Sequence, residues 1–97
     1  MGSQKRLVAG SNVALRMWEH ATRESDRVMH SRPYETVGYV LEGHARLHLG
    51  ALTLSLDPGD SYLVPAGAEH TYEIVRTPFR AIEATSPPAG EHESTSR

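Results

Sequence analysis

The most constraining feature of this sequence is an alternation of apolar and polar residues with a period of two, interrupted by turn signals. The alternation is clearest in two neighbouring runs, Arg46–Leu49 and Leu52–Leu56. Successive side chains of a β-strand point to opposite faces, so a period of two predicts half-buried strands. The two runs predict a hairpin that turns near Gly50-Ala51, and one set of residues is expected on its core face: Leu47, Leu49, Leu52, Leu54 and Leu56.

Short strands of the same kind are predicted along most of the chain. They are Val13–Trp18, a short strand ending near His30, Val37–Leu41, Ser61–Val64, Thr71–Val75 and Phe79–Ala84. Proline and glycine mark the separators, because proline presets φ and glycine permits a positive φ: Glu42-Gly43, Asp57–Asp60, Pro65–Gly67 and Thr77-Pro78. No stretch sustains a period of 3.6. Many short strands without a helix predict an all-β barrel or sandwich.

The chain has 97 residues, a length that suits one domain. We assign residues 12–85 to the barrel and residues 1–11 to an N-terminal segment. Residues 86–97 are expected to form a disordered polar tail, because Pro87-Pro88 stop a strand and the remaining residues bring too little apolar surface to offset their ordering entropy.

The charge balance excludes several partners. Ten basic and twelve acidic residues give a formal net charge of −2, which provides no field to attract nucleic acid or an anionic membrane. No apolar run reaches the roughly 18 residues of a membrane span, and the first residues contain no signal-peptide core, so a soluble, cytoplasmic protein is expected. The absence of cysteine excludes a disulfide framework, a thiolate zinc site and a cysteine nucleophile.

Six histidines are the candidates for chemistry, and the pattern reduces them to two. His92 falls in the polar tail and His20 in a polar run read as a loop. His44 and His48 share the face opposite the core leucines, which predicts solvent or a subunit contact for them. The two that remain are His30 and His70.

Residues 59–70 have the spacing G-x5-P-x-G-x2-H, with Gly59, Pro65, Gly67 and His70 at the fixed positions. This spacing resembles the second conserved motif of the cupin superfamily. Tyr39–Gly43 resembles the end of the first motif, whose full form is G-x5-H-x-H-x3,4-E-x6-G. The resemblance covers Val13 to Ala84. It implies a cupin-type jelly-roll β-barrel, which in single-domain members is often a homodimer.

The first motif can be aligned in two registers. Counting back from Gly43 puts Thr36 in the glutamate position and Arg32 and His30 in the histidine positions. Taking His30 as the second histidine puts Glu35 in the carboxylate position, with one extra residue before Gly43. In the second register, the resemblance implies a set of two histidines and one carboxylate for a divalent transition metal (Fe, Mn, Ni, Cu or Zn): His30, Glu35 and His70.

The charge of Arg32 separates the two registers. A guanidinium about 5 Å from a divalent cation would be repelled by roughly 7 kcal/mol at an effective dielectric of about 20. The first register therefore favours a metal-free anion pocket with Arg32, Thr36 and the two histidines, because arginine can hold a carboxylate through two hydrogen bonds.

Two functions follow as expectations. One is a cupin-like barrel that binds a small molecule and a divalent metal; if it is an enzyme, it is a metal-dependent dioxygenase or isomerase. The alternative is a metal-free sensor or binding module for a carboxylate or sugar acid. The residues predicted to line the ligand pocket are Arg32, Thr36, Tyr39 and Tyr72. Tyr72 has the best position among them, because it is two residues beyond His70 and faces the same side.

Overall fold

The computed structural model describes residues 2–25 and 28–89. This part of the chain forms an antiparallel sheet without a helix. Its strands are β1 (Gly2–Ala9), β2 (Ala14–His20), β3 (Glu24–Ser25), β4 (Glu35–Leu49), β5 (Leu52–Leu56), β6 (Ser61–Val64) and β7 (His70–Ser86). The two longest strands, β4 and β7, pair with each other from Glu35↔Ser86 to Leu49↔His70. The prediction of an all-β fold is confirmed.

Both long strands bend at their centres, and the bend divides the sheet into two layers. The β4–β7 register shifts repeatedly between Val40 and Ala45. Gly43 lies in this bend with φ +88°, and a Cβ at this position would approach the carbonyl oxygens of Arg76 and Pro78 to 2.6 Å. Only glycine accepts both the positive φ and this close approach without strain.

The pairing partners define the layers. The first layer contains β1, β2, β6 and the halves of β4 and β7 that pair with them, residues 35–42 and 79–86. The second layer contains β3, β5 and the other halves, residues 44–49 and 70–76. The layers face each other across the core, since the ring of Trp18 in β2 lies 4.4 Å from that of Tyr72 in the second layer.

The apolar core fills the space near the bend. Its fully buried members come from both layers: Trp18, Val40, Ala45, Leu47, Phe79 and Ala81. Phe79 lies at the start of the second half of β7 and packs edge-on against Trp18, with 5.4 Å between ring centroids. The opposite end, where β4 and β7 have their termini, is more polar.

The hairpin prediction is confirmed, because Leu49 pairs with Leu52 across Gly50-Ala51. The prediction that every leucine of the hairpin is buried is wrong. Leu47 and Leu56 are buried, but Leu52 is 64% exposed and Leu54 is also exposed. Both pair with inward-facing residues of β4, so their face was predicted correctly. They remain exposed because β5 is an edge strand.

Two separators predicted as turns do not end their strands. β4 runs through Glu42-Gly43 as a bulged bend, and β7 runs through Thr77-Pro78. His20, predicted in a loop, is the last residue of β2; it is 5% exposed and packs beside Trp18.

The structure also orders residues beyond the predicted barrel boundaries. Residues 2–9, assigned to the N-terminal segment, form β1 along the free edge of β2. Ser86 ends β7, and Ala89, assigned to the tail, is buried and donates its N–H to the Thr85 hydroxyl. The rest of the predicted tail, including His92, lies outside the described residues. No helix in the described ranges has the length and hydropathy of a membrane span.

Candidate functional site

A row of polar residues crosses the inner face of the first layer. The register aligns one residue from each of five neighbouring strands: Arg6 (β1), Arg16 (β2), Glu83 (β7), Gly38 (β4) and Tyr62 (β6). Directly paired residues share a face of the sheet. Arg16, Glu83 and Tyr62 are buried, so this part of the row faces the barrel interior, whereas Arg6 at its β1 end is exposed. We refer to these five residues as the polar row.

A buried ion pair forms the centre of the polar row. Arg16 donates from Nε to Oε1 of Glu83 at 3.0 Å, and its Nη2 lies 2.9 Å from the same oxygen. The side chain of Glu83 is fully buried and that of Arg16 is 8% exposed. The hydroxyl of Tyr62 donates to Oε2 of Glu83 at 2.5 Å. Both carboxylate oxygens are therefore engaged by side chains of neighbouring strands.

Gly38 makes the contact between Tyr62 and Glu83 sterically possible. It lies between them in the register, paired with Tyr62 on one side and Glu83 on the other. A Cβ at Gly38 would lie 2.2 Å from Cζ of Tyr62. The phenol ring thus crosses the strand where a side chain is missing.

Two aromatic residues, Tyr72 of the second layer and Trp18 of β2, form an aromatic wall beside the polar row. The ring of Tyr72 lies near those of its neighbours, 4.4 Å from Trp18, 6.2 Å from Tyr62 and 5.8 Å from His70. Tyr34, buried before the start of β4, lies under the Arg16 guanidinium, with 5.8 Å from Cζ to the ring centroid. The interior thus combines flat apolar surfaces with hydroxyl, carboxylate and guanidinium groups.

His30 and His70 are brought together by a backbone bridge. The N–H of each donates to the carbonyl of the other at 2.8 Å, so the two residues form a directly opposed antiparallel pair with side chains on the same face. Nδ1 of His70 lies 3.1 Å from the carbonyl oxygen of Ala68. A carbonyl can only accept, so Nδ1 donates its proton, and the neutral ring presents Nε2 as an acceptor.

The other predicted site residues divide between the two faces of the sheet. Thr36 is buried on the inner face beside Thr85, and Tyr72 lines the interior as predicted by its spacing from His70. Glu35 and Tyr39 are exposed, because each is an odd number of residues from Thr36 along β4 and points to the outer face. They lie away from the interior pocket for which the sequence analysis proposed them.

Arg32 lies in the loop that precedes β4. Its backbone carbonyl accepts from the N–H of Gly67 at 2.8 Å, and its guanidinium donates to the carbonyl of Ser31 at 3.2 Å. The arginine at the centre of the interior is therefore Arg16, which the sequence analysis did not single out.

These donors do not fit a resident metal ion. Among residues 2–25 and 28–89, no group of three histidine or carboxylate side chains is arranged to hold one. His30 and His70 provide two donors on one face, but Glu35 points away and Glu83 is engaged by Arg16 and Tyr62. A transition-metal site needs three or four such ligands.

Strand parity could have found the residues that were missed. Arg16 has the same parity as Trp18, and Glu83 the same parity as Phe79 and Ala81, which are core residues. A charged residue at an inward position of a strand is unusual, because burial of a charge is costly unless it is paired. The signal was therefore present in the sequence.

The outer face of the first layer carries an apolar row directly behind the polar row. The aligned residues are Val8, Leu15, Ala84, Val37 and Leu63. Val8 is 62% exposed, and Val37 and Leu63 are nearly half exposed. Tyr39 and Met17 extend the apolar area in the adjacent row through Ile82. We refer to the five aligned residues as the outer apolar row.

The outer face of the second layer is polar by contrast. Nδ1 of His44 lies 2.9 Å from Asp57, and Nε2 of His48 lies 3.3 Å from Glu73, which also pairs with Arg46 at 3.1 Å. His44 and His48 thus lie on the outward face that the alternation predicted and contact carboxylates of neighbouring segments.

Comparisons with known proteins agree with this architecture. A model of the cupin domain family matches residues 16–84. The fold is similar to the structure of KdgF from Halomonas sp., with a TM-score of 0.83 and 17% identity over 94% of this chain and 83% of that one. It is also similar to an RmlC-like cupin from Shewanella frigidimarina (TM-score 0.76, 21% identity, 94% and 79% covered). A cupin superfamily protein from Desulfitobacterium hafniense gives a TM-score of 0.74 and 22% identity, with 89% and 77% covered. No curated protein sequence matches the chain.

Proposed function

The chain belongs to the cupin domain family, and on this premise we propose that its barrel binds a small polar organic molecule through side chains, without a metal ion. The site comprises the polar row and the aromatic wall that faces it. The observation that carries the proposal is the burial of the Arg16–Glu83 ion pair, with Tyr62 bonded to it, in the interior of a small barrel.

A buried ion pair of this kind is weak evidence for a role in stability. Removing two charges from water costs several kcal/mol per ion, and apolar residues of similar volume often stabilise a protein equally or better. Ionisable side chains that are buried together are therefore candidates for function, although some serve structure. What favours binding is that the charged groups lie beside the aromatic wall, a combination typical of small-molecule sites.

The chemistry of the interior suits a hydroxylated ligand. Oε2 of Glu83 has a lone pair beyond its bond to Tyr62, the Tyr62 hydroxyl can accept because its proton is donated to Glu83, the Thr36 hydroxyl can donate or accept, and the flat face of Tyr72 provides apolar contact. His70 adds a polar group at the same end, with its ring orientation fixed by Ala68. We derive no metal-dependent step, because the donor arrangement does not fit a metal.

The same family membership leads us to propose a homodimer, in which the outer apolar row packs against its symmetry mate. This face carries no charge along the five aligned residues, so a two-fold axis brings no like charges together. Exposed apolar patches of this kind commonly mark protein interfaces. The proposed partner is a second copy of this chain.

The binding proposal can be tested by ligand-observed NMR on protein treated with a chelator. We expect one or more members of a library of sugars, polyols and hydroxy acids to bind, and Tyr62→Phe and His70→Ala to weaken that binding. Ser55→Ala, on the outer face of the second layer, is the matched control and should bind as wild type. If no library member binds, or if bound compounds are unaffected by both interior variants, the proposal is wrong.

A further inference from the structure

The β1 end of the polar row places two arginines directly opposite each other. Arg6 and Arg16 are register partners and share a face of the sheet. Like charges in this arrangement repel. Glu83 is the carboxylate of the row and pairs with Arg16, so the guanidinium of the exposed Arg6 is a positive charge that Glu83 does not balance.

The group that Arg6 binds in this structure is a backbone carbonyl. Its Nη2 donates to the carbonyl oxygen of Ala89, at 2.5 Å. A carbonyl oxygen bears a partial negative charge and accepts the hydrogen bond, but it does not neutralise the excess charge. A carboxylate would do both, and its two oxygens match the fork of the guanidinium.

Ala89 belongs to a short segment folded back over the end of the barrel, residues 86–89, which we call the strap. The strap is held by polar contacts: the Ser86 hydroxyl donates to the carbonyl of Asn12 at 2.7 Å, and the N–H of Ala89 donates to Thr85 Oγ1 at 3.0 Å. Thr85 is an inward-facing residue of β7, so Ala89 lies over the interior of the barrel.

The one buried residue of the strap is Ala89; Ser86 and Pro88 are partly exposed and Pro87 is exposed. Ala89 is buried, but its side chain is one methyl group, and its other contacts are hydrogen bonds that water or a ligand can replace. Segments with few buried apolar contacts open at low free energy compared with the core. The strap can therefore leave the barrel end while the strands remain folded.

We propose that the carbonyl of Ala89 occupies the place of a ligand carboxylate, that Arg6 is the residue that binds this carboxylate, and that the strap moves away when the acid binds. The inference rests on the proposed function and names its ligand class, a small hydroxylated carboxylic acid. The hydroxyl groups of the ligand face Glu83 and Tyr62, and its acid group lies at the β1 end of the polar row beside Arg6 and Arg16.

The test compares matched acids and neutral compounds by titration calorimetry. The probes are D-glucuronate with D-glucose and D-glycerate with glycerol, which differ within each pair at one oxidised carbon. We expect an acid to bind at least about ten-fold more tightly than its neutral counterpart, and Arg6→Gln to remove this preference. Arg76→Gln, an exposed arginine near Asp57, is the charge-matched control and should behave as wild type.

A second readout follows the strap itself. Hydrogen exchange at the Ala89 amide should become faster when the acid is added and stay unchanged with the neutral counterpart. If Arg6→Gln retains the preference for the acid, or if the acid binds without faster exchange at Ala89, the inference is overturned while the binding proposal stands. If wild-type protein binds none of the four probes, the inference fails, and the library experiment separately decides whether the proposed function stands.

Discussion

The hydroxyl of Tyr62 reaches the carboxylate of Glu83 by passing over Gly38, so that the side chains of two non-adjacent strands meet across the backbone of the strand between them. This contact between Tyr62 and Glu83 is possible because Gly38 has no side chain. Three residues far apart in the sequence thus form one packing unit, and each can be tested separately.

Gly38→Ala is expected to destabilise the protein by about 1–3 kcal/mol, the usual range for inserting a methyl group into a filled space. The added Cβ would overlap the Tyr62 ring and displace it from Glu83. Urea denaturation gives the free energy of unfolding. Gly10→Ala is the control, because a Cβ at that position would meet its neighbours at ordinary distances of 3.5 Å or more. Equal stability of the two variants would contradict the proposed packing.

The Arg16–Glu83 pair should show strong coupling in a double-mutant cycle. Glu83→Leu alone leaves the Arg16 guanidinium buried without its carboxylate, which typically costs about 3–5 kcal/mol. The double variant Arg16→Met with Glu83→Leu removes both charges and should recover most of this loss. Chemical denaturation of the wild type, both single variants and the double variant measures the coupling. Additive losses would mean that the two side chains do not act as a pair.

The outer apolar row should determine the oligomeric state. We expect a dimer in sedimentation velocity, and Val37→Glu should shift it to monomer because two buried carboxylates would face each other near the two-fold axis. Ser55→Glu introduces the same charge on the outer face of the second layer and should leave the dimer intact. A wild-type monomer at high protein concentration, or a Val37→Glu dimer of unchanged affinity, would contradict the proposal.

Metal analysis tests the conclusion drawn from the donor arrangement. Protein prepared without a histidine tag and supplied with Fe, Mn, Ni, Cu and Zn should retain far less than one metal ion per chain after desalting. His30 and His70 give two donors, too few for tight binding. Glu35→Gln should change nothing, because Glu35 lies on the outer face. Stoichiometric metal that is lost in His70→Ala would show that a third donor completes a site.

The sequence was sufficient to predict the fold because the signals for it are local. Period-two alternation, the hairpin at Gly50-Ala51 and the spacing of Pro65, Gly67 and His70 all lie within short stretches. The inward position of Thr36 and Tyr72 follows from the same parity. The proximity of His30 and His70 was implied only by the family resemblance, and in the structure a backbone bridge joins the two residues.

Which residues make up the candidate site depended on which faces of the strands meet in the interior of the folded barrel. Alternation shows that Leu15 and Arg16 point to opposite faces, as do Ala84 and Glu83. The parity of Arg16 with Trp18 and of Glu83 with Phe79 indicates the inward face, but it does not show that the two side chains meet there. In this barrel the arginine and the glutamate face inward and the apolar residues face outward. The usual rule, which assigns the apolar face to the core, therefore fails for these rows of the first layer.

The sequence by itself determined that this chain is an all-β protein of short strands, because strand and turn propensities are properties of neighbouring residues, and the family resemblance implied the barrel. The tertiary structure alone decided which side chains share the interior. Arg6, Arg16, Glu83, Gly38 and Tyr62 come from five strands and are aligned by long-range register, and Ala89 joins them from the strap. Register across five strands is set by the packing of the whole sheet, and no local stretch of the sequence encodes it.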